Sequence, residues 1–270
     1  MDTRQMTVAQ ITTLLSQPNL SLHITNSLKA DVRISVQRLV DRWEARCLAE
    51  QRERERVQAL YEYERQLKAE GYSLVAGIDE VGRGPLAGPV LIAAVVLPFD
   101  CYLPGLNDSK KLTAAQREKL YQQIKAVALA VSSCIVSVQT IDAINIYQAT
   151  VKGMYSAVAG LSPAPQAVLI DAVPLPELTV PYKAIIGGDQ VSASIAAASI
   201  IAKVERDQLM NELDCQYPMY GFGRHKGYGT QEHMDALKKH GPCPQHRRSF
   251  SPVREAEAGG GSGLIINGIV

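Results

Sequence analysis

The chain has 270 residues, which is enough for one full catalytic domain and a small additional segment. Hydrophobic residues make up 46% of it and charged residues 20%, so the composition excludes a disordered or fibrous protein. The formal net charge is +1 at pH 7, so overall charge does not indicate a nucleic-acid partner and such a partner would need a local basic patch.

Five cysteines, at positions 47, 101, 134, 215 and 243, are scattered along the chain, and an odd number cannot all pair. Free thiols in a reducing compartment are the simplest interpretation. The apolar run from Val90 to Phe99 is too short to span a bilayer, and the N-terminal residues lack the apolar region of a secretory signal. We therefore expect no membrane segment and a cytoplasmic location.

The first 70 residues contain two helical patterns and no visible chemistry. A short amphipathic helix is predicted up to Leu15, with Thr7 as its N-cap. A longer pattern runs from Val32 to Glu70, although fifteen of the thirty residues 41–70 are charged, which indicates a largely solvated second half. We interpret residues 1–70 as a helical accessory extension for binding or docking.

Residues 71–215 alternate between strand-like and helix-like segments, as in an α/β domain. The predicted strands are Leu74–Asp79, Val90–Leu97, Val131–Val138, Ala167–Asp171 and Tyr182–Ile186. The predicted helices are a segment that opens with a capping box at Thr113 and runs to Val127, then Ile141–Ala159 and Val191–Leu213. The catalytic region is expected to extend over residues 71–254.

Residues 219–250 form a basic region, with six Lys and Arg against two acids and four of the five histidines. A helix is predicted at Thr230–His240. The residues that could form a zinc site are His225, His233, His240, Cys243 and His246. Zinc is disfavoured because no second close Cys or His pair frames Cys243 and His246. The glycine-rich sequence that follows predicts a flexible tail over residues 255–270.

Three acidic positions share one setting, at or just after the C-terminal end of an apolar strand. They are Asp79 with Glu80, Asp171, and Asp189. If these strands are parallel neighbours, their ends meet at one edge of the sheet, where α/β sheets commonly bind ligands. Clustered acids need a counter-charge, and Mg²⁺ prefers a few carboxylates with waters and phosphate oxygens. Any one aspartate could instead cap a helix or accept turn hydrogen bonds, Asp189 above all.

A glycine-rich turn follows the first acidic pair. Because neighbouring strand residues point to opposite faces, Asp79 and Glu80 can serve one cluster only if the strand ends or bends, which Gly82 and Gly84 allow. The main-chain groups of this turn can reach a 2′-hydroxyl, the group that distinguishes RNA from DNA, and Arg83 adds a cation. A hairpin turn with an exposed arginine is the alternative interpretation.

Three further segments could contact phosphates, sugars or bases. Their candidate residues are Lys110 and Lys111, Ser192 and Ser194, and Tyr228. The lysines precede a capped helix and the serines begin another, so both pairs could meet phosphate, whereas the tyrosine between glycines could stack on a base or sugar. A solvated loop, core packing and a tyrosine packed on its own domain are the alternatives.

Taken in their order along the chain, these motifs resemble those of bacterial ribonuclease HII, over about residues 72–250. The segments that carry the resemblance are Gly77–Val90, Asp108–Leu112, Ile170–Asp171, Gly188–Asp189, Ser194–Lys203 and Gly227–Thr230. The resemblance implies an α/β fold with a ribonuclease-H-like five-stranded mixed sheet flanked by helices, preceded here by a small N-terminal helical extension.

The resemblance also implies a role for each motif. Its metal ligands, for Mn²⁺ or Mg²⁺, are Asp79, Glu80 and Asp171, and Asp189 completes the catalytic acids. The residues that would recognise the ribonucleotide 2′-hydroxyl are Gly82, Arg83 and Gly84. The residue that would stack below the sugar at the RNA–DNA junction is Tyr228.

The implied activity is that of a metal-dependent endoribonuclease. It would hydrolyse the RNA strand of RNA–DNA hybrids and nick ribonucleotide-containing duplex DNA on the 5′ side of a single ribonucleotide. Two-metal hydrolysis would leave 3′-hydroxyl and 5′-phosphate ends. We expect a monomer that binds these nucleic acids and no membrane, with docking on a replication clamp left open.

Three alternatives remain. A ribonuclease HIII-like hybrid nuclease is one, because that family also carries an N-terminal extension, although the intact glycine-rich motifs favour HII. A metal nuclease or phosphotransferase of the same fold, without ribonucleotide specificity, is another. A binding protein without catalysis is disfavoured because all four acids are present.

Overall fold

The computed structural model describes residues 3–17 and 20–258. The chain forms two compact units, one up to Arg56 and the other from Val57 onward. The sequence suggested a division near Gly71; by contacts, residues 57–70 belong to the unit that contains the sheet. None of the described helices is long and apolar enough to cross a lipid bilayer.

The N-terminal unit is helical. Helices α1 (Val8–Leu15) and α2 (Leu22–Lys29) precede the long α3 (Ile34–Ala59). Thr7 caps α1, as predicted, and its cap is reciprocal with Gln10, whereas α2 was not predicted. Apolar side chains of all three helices form one small core, which consists of Ile11, Leu14, Leu15, Leu28, Val36 and Val40.

The long helical pattern predicted up to Glu70 is interrupted. Helix α3 ends at Ala59 and α4 (Glu62–Ala69) follows after two residues. The break places Tyr61 in the core of the second unit, where it is buried and its hydroxyl donates to the carbonyl oxygen of Cys101 at 2.9 Å. Leu60 and Tyr61, at the break, are therefore both buried.

The second unit is built on a five-stranded mixed sheet with strand order β3-β2-β1-β4-β5. Its strands are β1 (Val75–Val81), β2 (Val90–Val96), β3 (Ala130–Val136), β4 (Ala167–Asp171) and β5 (Tyr182–Ile185). The first three strands are antiparallel neighbours, and β1, β4 and β5 are parallel. The parallel arrangement assumed for the acidic strand ends is therefore confirmed.

Helices cover both faces of the sheet. They are α5 (Ala114–Val127), α6 (Val138–Ile144), α7 (Ile146–Ala159) and α8 (Ala193–Gln216), followed by α9 (Phe222–His225), α10 (Gln231–His240) and α11 (Ser251–Ala258). Helices α5 and α8 share one core with alternate residues of β2, and α7 packs on the other face. The capping box at Thr113 is present, as predicted.

Two predicted boundaries are wrong. The helix predicted over Ile141–Ala159 is split at Asn145, which has a φ of 66° and whose side chain accepts from the N–H groups of Tyr147 and Gln148. Residues 255–258, predicted as the start of a flexible tail, are helical, because α11 continues to Ala258 and buries Val253. Residues 259–270 lie outside the described part of the chain.

Helix α8 lies directly on β1. A Cβ atom built on Gly77 would overlap the main-chain carbonyl carbon of Ser194, so only glycine fits at this crossing. The first three turns of α8 are almost entirely buried and consist of Ala, Ser and Ile. This close packing brings α8 next to the acidic end of β1.

Candidate metal and nucleic-acid site

The structure brings the predicted acids to one edge of the sheet. Ile78 of β1 is in parallel register with Ile170 of β4, so Asp79 and Asp171 end up side by side on neighbouring strands. Their strand positions share the face of Gly77, which is covered by α8. Asp189 lies in a short 3₁₀ turn just after β5 and is also buried.

Glu80 starts on the opposite face of β1 from Asp79 but belongs to the same group of acids. Strand β1 continues to Val81 rather than ending at Asp79, so Asp79 and Glu80 begin on opposite faces. The bend comes at Gly82, whose φ is 95°. The charge of Asp171 nevertheless acts on both Asp79 and Glu80, so the three carboxyl groups form one electrostatic cluster.

Each carboxyl group of this cluster has one oxygen held by a donor of the chain. Oδ1 of Asp79 accepts from the N–H of Glu80 at 2.7 Å, and Oδ1 of Asp171 accepts from the N–H of Gly188 at 2.8 Å. Oε1 of Glu80 accepts from Nη1 of Arg83 at 3.2 Å, while its Oε2 is buried and has no protein partner. The protein thus orients the three acids and leaves at least one buried oxygen unsatisfied.

Burial and mutual repulsion oppose ionisation at this cluster. Burial raises the pKa of Asp79 well above its ordinary value, and the charges of Glu80 and Asp171 add to the shift. Burial also raises the pKa of Glu80, although the nearby Arg83 acts in the opposite direction. A cation placed among these oxygens would remove the repulsion and stabilise the charged forms.

A second layer of hydroxyl groups links Asp79 to the loop before α5. Ser199 of α8 forms a side-chain hydrogen bond with Asp79. The Oγ atoms of Ser199 and Ser109 lie 2.7 Å apart, and both residues are buried. Ser199 was assigned only to the core from the sequence, and no sequence signal singled it out among the small residues of α8.

The two predicted lysines lie beside the fourth acid. Nζ of Lys110 donates to Oδ2 of Asp189 at 3.4 Å, and Nζ of Lys111 donates to Oε1 of Gln190 at 3.0 Å. Burial lowers the pKa of Lys110, but the charges of Asp189, Asp108 and Asp79 outweigh burial and raise it overall. Burial and the charge of Asp108 raise the pKa of Asp189. Lys110 is 78% exposed and therefore accessible to a ligand at the acidic edge.

The glycine-rich turn and the predicted tyrosine meet at the same edge. A Cβ atom built on Gly84 would lie 3.7 Å from Cε1 of Tyr228, and the N–H of Leu86 donates to the carbonyl oxygen of Gly227 at 2.8 Å. Tyr228 is 45% exposed. A turn with accessible main-chain groups and an aromatic ring therefore lie next to each other, adjacent to Glu80.

Two predicted phosphate contacts are corrected by the structure. Ser192 and Ser194 are buried, and both donate to Oε1 of Glu64, through the hydroxyl at 2.7 Å and the main-chain N–H at 2.9 Å respectively. The first turn of α8 is thus capped by a carboxylate from α4 and does not face a ligand. Glu64 was missed because it lies in a highly charged helical sequence in which nothing marks one acid as buried.

The histidines of the basic region form hydrogen bonds with one another and with the main chain. Nε2 of His233 lies 3.0 Å from Nε2 of His246, and the ring of His225 stacks on that of His233 at 4.5 Å between centroids. Burial lowers the pKa of His246 to about 3 and also lowers the pKa of His233. Within the described residues, no group of three or more His, Cys, Asp or Glu side chains is arranged to hold a metal ion as it stands, at the acidic edge or among these histidines.

The chemistry of the acidic edge fits a hard divalent cation. Carboxylate oxygens are the ligands that Mg²⁺ and Mn²⁺ prefer, and Asp79, Glu80 and Asp171 supply them from two neighbouring strands. The buried, unpartnered Oε2 of Glu80 is the observation that favours such a ligand.

Comparison with known proteins identifies the family. The family model described as Ribonuclease HII matches residues 76–253, and the model described as Ribonuclease HII N-terminal domain matches residues 7–68. A curated ribonuclease HII of Geobacillus thermodenitrificans is 52% identical over 259 residues, which are 94% of this chain and 98% of that protein. One from Bacillus cereus strain Q1 is 54% identical over 225 residues, 83% of this chain and 87% of that protein.

Solved structures agree with this assignment. Ribonuclease H2 from Pyrococcus horikoshii has a TM-score of 0.58 at 27% identity, over 68% of this chain and 97% of that chain. A Bst-RNase HIII in complex with Mn²⁺ has a TM-score of 0.51 at 18% identity, over 68% of this chain and 69% of that chain, and it shares the fold. The chain therefore belongs to the ribonuclease HII family of metal-dependent endonucleases of the ribonuclease H type.

Proposed function

We propose that this ribonuclease hydrolyses the RNA strand of RNA–DNA hybrids and nicks duplex DNA on the 5′ side of a single embedded ribonucleotide. The products would carry 3′-hydroxyl and 5′-phosphate ends. The observation that carries the proposal is the adjacency of three features at one edge of the sheet. They are the buried acids, the Gly82–Gly84 turn and the exposed ring of Tyr228.

In this proposal each acid has a definite task. Asp79, Glu80 and Asp171 hold the cation, Mg²⁺ or Mn²⁺, with one oxygen of each oriented by a donor of the chain. When bound, the cation would supply charge stabilisation for the phosphate and a water of lowered pKa. Asp189 completes the acidic set from the turn after β5, where its salt bridge with Lys110 keeps the carboxylate in place.

The remaining residues bind the substrate. Lys110 and Lys111 extend from the loop before α5, and their cations would meet the phosphates on either side of the scissile bond. The main-chain groups of Gly82–Gly84 would read the 2′-hydroxyl, and Tyr228 would stack against the sugar. Because an all-DNA strand lacks the 2′-oxygen, the turn would not engage it and the phosphate would not be held in line for attack.

The end chemistry provides a direct test. An RNA–DNA hybrid with a labelled RNA strand is incubated with Mg²⁺ and the products are treated with phosphatase or with polynucleotide kinase. Products whose 5′ ends accept a new phosphate only after phosphatase treatment, and whose 3′ ends are extended by a polymerase, agree with the proposal. Cyclic phosphate or 3′-phosphate ends would contradict it, because they would make the 2′-hydroxyl the nucleophile.

We further propose that the enzyme acts as a monomer in the cytoplasm. All five cysteines are free thiols, which suits a reducing compartment. Light scattering at catalytic concentrations measures the first part, and a mass twice that of the chain would contradict it. A neighbouring solved structure, described as the PCNA:RNase HII complex from Archaeoglobus fulgidus, has a TM-score of 0.52 at 28% identity. We assign no clamp-binding segment to this chain.

A further inference from the structure

A buried arginine faces the inner side of the Gly82–Gly84 turn. Arg247, in the loop after α10, is fully buried. Its Nη1 donates to the carbonyl oxygen of Arg83 at 2.8 Å, and its Nη2 donates to that of Gly82 at 2.5 Å. Its Nη2 and Nε also donate to the carbonyl oxygen of Gly88, at 2.8 and 3.0 Å. One planar guanidinium thus fixes two carbonyls of the turn and the far end of the same loop.

These hydrogen bonds also determine the direction of two N–H groups. In a trans peptide the C=O of one residue and the N–H of the next point in opposite directions, and the cis peptide of the described chain is elsewhere, at Ser162–Pro163. With the carbonyls of Gly82 and Arg83 turned towards Arg247, the N–H groups of Arg83 and Gly84 point away from it.

Both of these N–H groups are free to bind a ligand. Within the described residues, neither the N–H of Arg83 nor that of Gly84 donates to a protein acceptor. Consecutive main-chain N–H groups that point the same way form a binding site for an electronegative oxygen. The ring of Tyr228 lies next to Gly84, so the two donors and the aromatic surface border the same space.

Arg247 also brings a charge that has no direct ion-pair partner. In the described part of the chain it forms no ion pair, and each acceptor of its hydrogen bonds is a main-chain carbonyl. Burial lowers its pKa to about 9, with a contribution from the charge of Arg206, so the group remains a cation at neutral pH. A buried cation behind the turn strengthens the positive potential that a nucleic-acid strand meets there.

We propose that Arg247 is a positioning residue for ribonucleotide recognition, which holds the turn so that the N–H groups of Arg83 and Gly84 are aimed at the 2′-oxygen. This inference rests on the proposed function, in which the turn reads the 2′-hydroxyl, and it adds the residue that maintains the reading conformation. The competing explanation is a role in stability alone, since Arg247 joins two loops.

A comparison residue is present on helix α8. Arg206 is equally buried and packs against Gly82, but it donates to the carbonyl oxygens of Ala87, Pro89 and Lys226, none of which belongs to the Gly82–Gly84 turn. Replacement of either arginine by lysine keeps the charge and removes the planar fork of donors. A purely structural role predicts similar consequences for Arg247→Lys and Arg206→Lys.

The test is equilibrium binding of two duplexes that differ only in one ribonucleotide. Ca²⁺ replaces Mg²⁺ at the carboxylates, and the absence of nicking is checked on a gel. The wild type should bind the ribonucleotide duplex more tightly than the all-DNA duplex. Arg247→Lys should lose about fivefold of this preference, through weaker binding of the ribonucleotide duplex, because a hydrogen bond of that kind is worth about 1 kcal/mol. Arg206→Lys should keep the preference, even if its melting temperature falls as much as that of Arg247→Lys.

The outcomes separate the inference from the proposed function. A folded Arg247→Lys protein that keeps the wild-type preference, or that weakens on both duplexes equally, overturns the positioning role and leaves the proposed function in place. A wild type without any preference overturns the proposed function and the inference with it.

A second variant covers failure of Arg247→Lys to fold. Phe250 lies under the guanidinium, with its ring centroid 5.2 Å from Cζ of Arg247. Phe250→Leu removes this cation–π contact, which loosens the guanidinium, and should reduce the preference about twofold. An unchanged preference in folded Phe250→Leu would then contradict the inference.

Discussion

The chain of neutral histidines makes a quantitative prediction about stability and pH. The N–H of Cys243 donates to Nδ1 of His246 at 3.0 Å, so in the neutral ring the proton is on Nε2. That proton is donated to Nε2 of His233, whose own Nδ1–H donates to the carbonyl oxygen of Tyr228 at 2.9 Å. A further proton on His246 would face the N–H of Cys243, so protonation breaks the chain of hydrogen bonds.

The sign and size follow from the lowered pKa of His246. Its pKa is about 3 in the folded protein against 6.5 for an unperturbed histidine, so between these values the unfolded chain binds a proton that the folded chain does not. The stabilisation is complete above pH 6.5 and is lost as the pH falls towards 3. For one such group the loss between pH 7 and pH 5 is about 2 kcal/mol.

The assay compares urea unfolding of the wild type and of His246→Gln at pH 7 and pH 5, without metal. Glutamine keeps a donor and an acceptor but does not titrate, so the stability difference between the two proteins should shrink by about 2 kcal/mol at the lower pH. This comparison cancels the contribution of the acidic cluster. His240→Gln is the matched control, because that ring is only partly buried. A difference that stays constant from pH 7 to pH 5 would refute the reasoning.

Three further variants test the packing and charge of the site. Asp79→Asn should abolish metal-dependent cleavage. In EDTA it should also raise the unfolding free energy by about 1–2 kcal/mol, because it removes one of three repelling buried charges. A lower unfolding free energy than that of the wild type, measured by urea titration, would contradict this. Gly77→Ala should cost at least about 3 kcal/mol, since its Cβ would overlap the main chain of α8, and a melting temperature within a degree of the wild type would show that this crossing is loose. Glu64→Gln keeps an oxygen that accepts from the Ser192 hydroxyl, so its unfolding free energy should be nearly that of the wild type. Glu64→Ala should lower the unfolding free energy by about 1–3 kcal/mol. Equal losses for the two variants in chemical denaturation would exclude the hydrogen-bond explanation.

The part of the site that follows from local rules could be predicted from the sequence. Asp79 and Asp171 follow apolar runs, and the parallel pairing of β1 with β4 places them together, because the carboxyl ends of parallel strands meet at one edge of the sheet. The N-cap at Thr7 and the capping box at Thr113 depend on residues three positions apart, and both predictions are confirmed. Such features can be predicted from residues that are close together in the sequence, or with one assumption about strand order.

What could not be predicted depends on contacts between distant segments. Ser192 looked available for phosphate because nothing in its surroundings indicated that Glu64, 128 residues away, would bind its hydroxyl. Arg247 resembles any arginine of a basic loop, yet its donors end on carbonyls 159–165 residues earlier in the chain. The split at Asn145 was missed because a left-handed residue inside an apolar helical pattern leaves the periodicity nearly intact.

Cleavage of a labelled DNA duplex that carries one ribonucleotide, in the presence of Mg²⁺, Mn²⁺ or EDTA, tests the central claim most directly. Our account predicts a single nick on the 5′ side of that ribonucleotide with either metal, none with EDTA, and none in the matched all-DNA duplex. Nicking of the all-DNA duplex at a comparable rate would contradict the claim that the Gly82–Gly84 turn and Tyr228 read the 2′-hydroxyl. The claim would also be contradicted if the duplex with one ribonucleotide stayed intact under conditions in which long RNA–DNA hybrids are cut.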